Sequence, residues 1–332
     1  MKKIVVAPDS FKGSLTSAEV ADAVERGIKD VFPQCNVVKA GVADGGEGTV
    51  EAIVKAVGGD MYTASVTDPL GRPVKAAYGI VRSGGVKTAV MEMSAASGLP
   101  LLLPDELNPW ITSTYGTGEM ISDALNRGCR KFLVGIGGSA TNDAGTGMLS
   151  ALGVRFLDSR GQRLKGCGRD LESIARIDMS SLMPAARESE FIVACDVNTP
   201  FCGPDGAARV FAPQKGADPQ TAEALDRGMR SFARVIAGQF QTDIVPLSGA
   251  GAAGGLGGAF KAFLNARLTA GIEMVLDAIA FDSLLEGASL GRGTDRCPDS
   301  SGKDSRRSPE ACRMERNPRH RHRRVRGDVP GA

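Results

Sequence analysis

Histidine is almost missing from this 332-residue chain: both copies, His320 and His322, fall near the C-terminus. Everything before residue 291 therefore works without imidazole, which excludes a Ser-His-Asp triad, a Cys-His pair or a histidine metal cluster there. Any general base in that body has to be a carboxylate, a lysine or a water. Aromatics are scarce too. One tryptophan (Trp110) and three tyrosines argue against a protein that stacks nucleic-acid bases. No run of about 18 apolar residues occurs, so no membrane span is expected. The opening Met-Lys-Lys passes into a strand-like run that ends at Pro8, too short for a secretory signal, and the expected location is the cytoplasm. The seven cysteines are scattered with no C-x-x-C pair and read as reduced thiols, neither a disulfide framework nor a zinc site. No G-x-x-x-x-G-K-[ST] is present, so this is not a P-loop protein.

What the chain has in quantity is glycine, 43 residues of it, within a composition that is 42% hydrophobic and 23% charged. That balance suits a small-molecule α/β enzyme with many loops. Four glycine-rich polar loops stand out: Asp9-Ser-Phe-Lys-Gly-Ser14, Ala43-Asp-Gly-Gly-Glu-Gly-Thr49, Gly137-Gly-Ser-Ala-Thr-Asn-Asp143 and Ser248-Gly-Ala-Gly-Ala-Ala-Gly-Gly-Leu256. Each follows a short apolar run. Glycine lets the backbone approach an anion, and the N–H groups after such a turn, with the dipole of a following helix, favour phosphate. Carboxylates in these loops, Asp44, Glu47 and Asp143, would repel a bare phosphate and make more sense as ligands of a nucleotide's magnesium ion. Any one such loop is also an ordinary strand-to-helix turn; the repetition of the pattern is what points to phosphate.

The organisation starts as β-α-β-α. Residues 4–7 read as a buried strand, Thr16 and Glu19 as a capping box before a helix with Val20, Val24 and Ile28 on one face, 37–42 as a second strand, and 50–57 as a helix stopped at Gly58. From about Thr63 the pattern changes to an antiparallel meander through 76–81 and 88–93, with a turn at Pro69 and Gly71. A second domain is expected to begin there. It continues through a helix at 118–126, a strand at 132–136, a helix at 142–152, a hairpin around 158–161, a strand at 191–195 that delivers Asp196, and helices at 254–268 and 272–285. Leu290 would open the next strand.

Six segments in order resemble the bacterial glycerate kinases that phosphorylate D-glycerate with ATP: Val-Ala-Pro-Asp-Ser-Phe-Lys-Gly-Ser at 6–14, the 43–49 loop, Gly-Ile-Gly-Gly-Ser-Ala-Thr-Asn-Asp at 135–143, Ala-Cys-Asp-Val-Asn at 194–198, Pro-Gln-Lys-Gly-Ala at 213–217, and the glycine run at 249–257. The resemblance is collinear up to about Leu290. It implies an α/β protein with a flavodoxin-like domain formed from both chain ends (1–62 plus 286–332) and a second α/β domain (63–285) inserted between them. It implies ATP and Mg2+ as cofactors, D-glycerate as substrate, the 2-hydroxyl as the favoured acceptor, no specific nucleic-acid partner, and a homodimer as one assembly to consider.

Site roles follow from what phosphoryl transfer to a hydroxyl acid needs: a phosphate cradle, a metal bridge, a cation and a group that takes or orients the hydroxyl proton. Lys12, flanked by Ser10 and Ser14, is the candidate catalytic cation. Asp196, at the end of an apolar strand, is the candidate base or metal ligand, with capping of the next turn as the plainer alternative. Asp44 and Glu47 are candidate metal ligands. Ser10, Ser14, Gly45, Gly46, Gly138, Ser139, Thr141, Asn142 and Lys215 are candidate phosphate or substrate contacts. Cys195 reads as a small buried apolar residue and not a nucleophile.

Past Leu290 the text changes. Residues 291–332 hold 12 Lys+Arg against 6 Asp+Glu and only Met314, Val325 and Val329 as large apolar residues, a mobile segment by composition. A basic tail or a flexible terminus would read this way. So would a shifted reading frame: back-translated with permissive codons and read one base later, 296–305 gives Asp-Ala-Gln-Thr-Val-Arg-Gly-Lys-Thr-Pro and 318–327 gives Pro-Val-Ile-Val-Ile-Ala-Gly-Ser-Val-Gly. Both resemble the continuation of the family, and a frameshift after Leu290 is the preferred reading. The rival to an active enzyme is then a frameshifted, inactive remnant.

Overall fold

A computed structural model of the chain describes residues 2–11, 14–43, 45–46, 48–83, 85–288 and 290–293. Lys12, Asp44 and Glu47 lie outside the described residues, as do 294–332, on which the expectation of a mobile tail falls.

The described residues form eleven strands: β1 (Lys3–Ala7), β2 (Asn36–Lys39), β3 (Gly59–Thr67), β4 (Pro73–Ser83), β5 (Val86–Glu92), β6 (Lys131–Gly135), β7 (Arg155–Leu157), β8 (Arg176–Asp178), β9 (Glu190–Ala194), β10 (Arg267–Thr269) and β11 (Leu290–Gly293). They make a parallel three-stranded sheet in the order β11-β1-β2, a six-stranded sheet in the order β10-β9-β6-β5-β4-β3, and a β7-β8 pair. In the six-stranded sheet β10, β9, β6 and β5 run parallel, and β5-β4-β3 is the antiparallel meander expected from the sequence. Leu290 does open a strand, and that strand pairs with β1, so the two ends of the described chain meet in one sheet. The change of pattern expected near Thr63 falls inside β3, which starts at Gly59.

Side-chain alternation on the parallel strands separates two cores. Phe132 and Val134 of β6, and Phe191 and Val193 of β9, join a large cluster with Met120, Met148, Phe232 and Phe260. Their neighbours Leu133, Ile192 and Ala194 face a second cluster that holds Ala7, Ala40 and Val42 from the small sheet, Ile53 from the helix Thr49–Val57, and Met274 from the helix Gly271–Ala278. Phe132 and Phe191 stack across the β6-β9 pair with ring centroids 4.7 Å apart, an arrangement that adds about 1 kcal/mol beyond burial.

The capping box forms as read. Thr16 Oγ1 accepts from the Glu19 N–H at 3.3 Å, and Glu19 Oε2 accepts from the Thr16 N–H at 2.8 Å, at the start of the helix Ser17–Val31. Of the expected apolar face Val20 is buried, whereas Val24 is 40% exposed. Thr16→Ala is expected to lower stability by about 1 kcal/mol, read as faster amide exchange across that helix.

Three helix expectations shift. The helix placed at 142–152 is shorter, Thr146–Ala151, because Ala144 (φ 52°) and Gly145 (φ 73°) turn left-handed. The one placed at 254–268 lies in the span Ala252–Leu264, which is broken near its start by left-handed Ala253 (φ 52°), Gly254 (φ 68°) and Gly255 (φ 95°) and ended by Asn265 at φ 49°, and the remainder is β10. The one placed at 272–285 breaks at Ala280 (φ 49°) into Gly271–Ala278 and Phe281–Leu285. A 22-residue helix, Pro219–Phe240, was not anticipated; Asp218 caps it by accepting from the Thr221 N–H at 2.7 Å.

Candidate active site

One register row marks the carboxyl edge of the parallel strands: Glu92 of β5 opposite Gly135 of β6, Gly135 opposite Ala194 of β9, and Ala194 opposite Thr269 of β10. Loops that leave such an edge are where α/β proteins gather ligands. The second glycine loop, from the small sheet, is seated on this row. Gly45 (φ 84°) lies so close that an added Cβ would come within 2.6 Å of the Ala194 Cβ and 3.1 Å of the Gly271 Cα. A Cβ on Gly135 would strike the Gly45 carbonyl oxygen, and the Cβ position of Gly137 is 4.0 Å from the Gly46 Cα. The sequence pattern thus brings the 43–49 and 137–143 loops together. Glu92, which sequence reasoning passed over, links them to the helix Thr49–Val57 by accepting from the Val50 N–H at 3.2 Å. Its signal was available, since Glu92 ends an apolar strand much as Asp196 follows one.

The 137–147 segment is built around Asp143. This carboxylate is fully buried and accepts from the N–H groups of Thr114 (2.7 Å), Gly145 (3.0 Å) and Gly147 (3.2 Å) and from Thr114 Oγ1 (2.8 Å). Burial raises its pKa against the lowering effect of those donors. The reading of Asp143 as a magnesium ligand is corrected: its oxygens are taken up inside the protein, where they fold the loop. The fourth glycine run plays a similar internal part. Cβ atoms at Gly254 and Gly251 would strike the carbonyls of Thr141 and Pro200, and Gly254 O accepts from the Ala144 N–H at 2.9 Å. These glycines serve backbone-to-backbone packing.

Ser139, Thr141 and Lys215 converge, while the Asn142 side chain turns to Met229, its Nδ2 donating to Sδ at 3.3 Å. Lys215 Nζ donates to Ser139 Oγ at 2.7 Å and to the Thr141 carbonyl at 2.6 Å. Burial pulls its pKa down to about 7, with Asp143 opposing the shift. Gly138 is left-handed (φ 71°) with only Ser94 Cβ, at 3.5 Å, near the Cβ position. Among the described residues five side-chain atoms are buried without a hydrogen-bond partner: Thr88 Oγ1 in β5, Ser150 Oγ in the helix Thr146–Ala151, and Thr49 Oγ1, Thr141 Oγ1 and Asn142 Oδ1 on the glycine loops; the last three bear on the site. Buried polar atoms in that state call for an explanation such as a ligand, and these three sit on the two loops that meet at the row.

Asp196 stands just beyond β9. Its Oδ1 accepts from the N–H of Gly271, the first residue of a helix, at 2.9 Å, so the capping alternative is real. Its other oxygen takes no hydrogen bond among the described residues, and burial, helped by Glu273, raises its pKa. Cys195 beside it donates to the Val197 carbonyl at 3.2 Å and is pushed up by burial, as an inert thiol should be. Ser10 and Ser14 stay in the loop after β1: the Ser10 N–H donates to Asp9 Oδ1 at 2.7 Å and the Ser14 N–H to the Phe11 carbonyl at 2.9 Å. Val42 N–H to Pro8 O at 3.2 Å ties that loop to the one after β2. Among the described residues no group of three or more His, Cys, Asp or Glu could hold a metal, and no helix is long and apolar enough to cross a membrane.

A mostly parallel sheet whose carboxyl edge gathers glycine turns, two orphaned hydroxyls and a buried lysine is the architecture of an α/β enzyme. Comparison with known proteins narrows this. The model of the glycerate kinase family matches residues 4–292. The chain is 48% identical over 288 residues to the glycerate kinase of Bacillus subtilis (strain 168), covering 87% of this chain and 75% of that protein. It is 46% identical over 288 residues to the glycerate 2-kinase of Escherichia coli (strain K12), with 87% and 75% covered. A crystal structure assigned as a glycerate kinase 2 from Salmonella typhimurium LT2 superposes with a TM-score of 0.85 at 46% identity, covering 88% of this chain and 78% of that one. The chain belongs to the glycerate kinase family.

Proposed function

We propose that the protein transfers the γ-phosphoryl group of ATP to the 2-hydroxyl of D-glycerate, with Mg2+, in the cytoplasm, and as a homodimer. The observation that carries this reading is the meeting of two glycine loops on the Glu92–Gly135–Ala194 row, with Thr49, Thr141 and Asn142 offering buried, unpartnered oxygens. The two orphaned hydroxyls fit a phosphate chain: Thr49 and Thr141, with Ser139 and the backbone N–H groups near Gly45, Gly46 and Gly138, can donate to its oxygens, whereas Asn142 Oδ1 only accepts and would need a donor such as a substrate hydroxyl. Asp196, through the oxygen not used on the helix, accepts the proton of the attacking hydroxyl, and its raised pKa suits a base that must hold that proton. Lys12, with Ser10 and Ser14, meets the glycerate carboxylate or the phosphates.

For the metal, Asp44 and Glu47 remain the proposed ligands, and Glu92 and Asp196 are the described carboxylates at the same edge. When bound, a divalent cation neutralises charge on the phosphates. The domain division at 62/63 and 285/286 is kept as part of the reading. It gains support from β11, which returns the far end of the chain to β1, and from the separate sheets. The frameshift reading draws support from the family match, which stops at residue 292, and from the alignments, which cover 75% of the two relatives. The relatives lend the inactive-remnant alternative no support.

The test is ATP turnover by the purified chain with and without D-glycerate, with phosphorus NMR distinguishing the 2- from the 3-phosphate. Lys12→Ala is expected to lower kcat/KM at least about tenfold and Asp196→Asn to lower kcat about 100-fold or more. In the wild type the acid limb of the rate profile should be shifted upward from that of a free aspartate. An Asp196→Asn enzyme with undiminished kcat would leave that residue only its capping bond.

A further inference from the structure

Lys215 is an unusual place for a charge. It ends a short 3₁₀ helix, Pro213–Lys215, and is 1% exposed, among the largest fully buried side chains of the described residues. The turn cannot easily withdraw: Gly216 follows at φ 96°, where a Cβ would strike the Leu107 carbonyl. Both acceptors of the ammonium belong to one loop, Ser139 through its hydroxyl and Thr141 through its carbonyl. That same carbonyl is pressed from another side by Gly254. Asp143, fully buried in the loop, is the one ionisable group among the described residues whose charge is felt at Nζ.

We propose that Lys215 is a positioning residue: seated behind the 137–143 loop, it ties Ser139 to Thr141 from inside and sets a positive charge that an anion bound in front of the loop feels, so that anion binding and protonation of Lys215 are coupled. The proposal rests on the loop being the phosphate-binding one. A contact made by Lys215 to the ligand itself, as first read from the sequence, is not required, and its burial argues against one.

The sign of the coupling follows from the chemistry. With its pKa pulled down to about 7, Lys215 is charged below neutrality and loses the proton above it. The amine still has two N–H bonds for its two acceptors, but the charge is gone. An anion in front of the loop favours the ammonium, so above pH 7 binding takes up a proton and the affinity falls as pH rises. Below pH 7 the group is charged in both states and no uptake is expected. Folding has its own linkage. A lysine whose folded pKa lies below its unfolded value penalises the folded state at low pH, and the penalty is relieved as pH rises through and above 7.

The experiment is titration calorimetry of MgATP into the full chain at pH 8, where the triphosphate is already ionised, in two buffers of different ionisation enthalpy. Wild-type protein is expected to take up a substantial fraction of a proton. Lys215→Arg, which cannot lose its charge, should bind within a few-fold of wild type with no uptake, and Lys215→Met should lose the uptake and bind at least about tenfold more weakly. As a check on folding, the Tm of wild type relative to Lys215→Met should increase between pH 6 and 9. Absence of proton uptake by wild-type protein, failure of MgATP to bind, or uptake that persists in Lys215→Met overturns the proposal. Uptake without any glycerate-dependent turnover would leave it standing and remove the kinase reading instead; turnover without uptake would do the reverse.

Discussion

Asp143→Ala is expected to remove on the order of 3 kcal/mol of folding stability, a large share of the 5–15 kcal/mol typical of a folded domain. The reason is the number of donors that lose their acceptor at once. The N–H groups of Thr114, Gly145 and Gly147 all point at this carboxylate inside the protein, and no water can reach them there. Each orphaned donor costs about 1–3 kcal/mol, partly offset because a buried charge is also removed. Asp143→Asn should be intermediate, since the amide keeps one oxygen for the donors and turns an NH2 group toward the rest. Urea unfolding reports the difference, and a midpoint unchanged in the alanine variant would show that the network is not what folds the loop.

Gly135→Ala should act on the site and spare most of the fold. The added methyl group has nowhere to go except into the Gly45 carbonyl, so the 43–48 loop must lift off the row. Displacement of a substrate-positioning loop by about 1 Å can cost roughly 100-fold in rate, whereas overpacking at one residue costs about 1–3 kcal/mol of stability. The expected outcome is a kcat/KM reduced about 100-fold in a protein that still unfolds cooperatively. Gly27→Ala is the control: Gly27 lies in a helix with nothing within 4 Å of its Cβ position, and the change should leave turnover alone. Equal turnover in Gly135→Ala and wild type would mean that the 43–48 loop has no part in the reaction.

Much of this architecture was legible because the parallel strands are short, apolar and followed by polar loops. That pattern located β1, β6 and β9, and it put the 137–143 loop and Asp196 at a sheet edge. What it could not locate was direction. A carboxylate in a glycine loop reads the same whether it faces out to a cation or in to backbone donors, and for Asp143 the answer depends on Thr114, far away in the chain. Lys215 posed the same problem, since only the docking of its turn against Leu107 shows that the side chain runs inward. The glycines at 249–257 looked like an anion cradle because glycine permits close approach of any backbone, a phosphate's or the protein's own. The helix Pro219–Phe240 is a different kind of miss. Its signals were present: Asp218 before Pro219, and Leu225, Met229, Phe232 and Ile236 recurring at helical spacing.

The pairing of β1 with β11 has a consequence in time. Ile4 lies opposite Leu290, and nearly the whole described chain must be made before its partner exists. At a synthesis rate on the order of 5–20 residues per second, β1 and β2 leave the ribosome tens of seconds before β11, with only each other to pair with. The strands of the six-stranded sheet all lie between them in sequence and can assemble in the interval, so the small sheet closes last and across the largest loop entropy in the molecule. Until then the edge of β1 is open, and the newborn protein depends on that edge staying unclaimed by another chain.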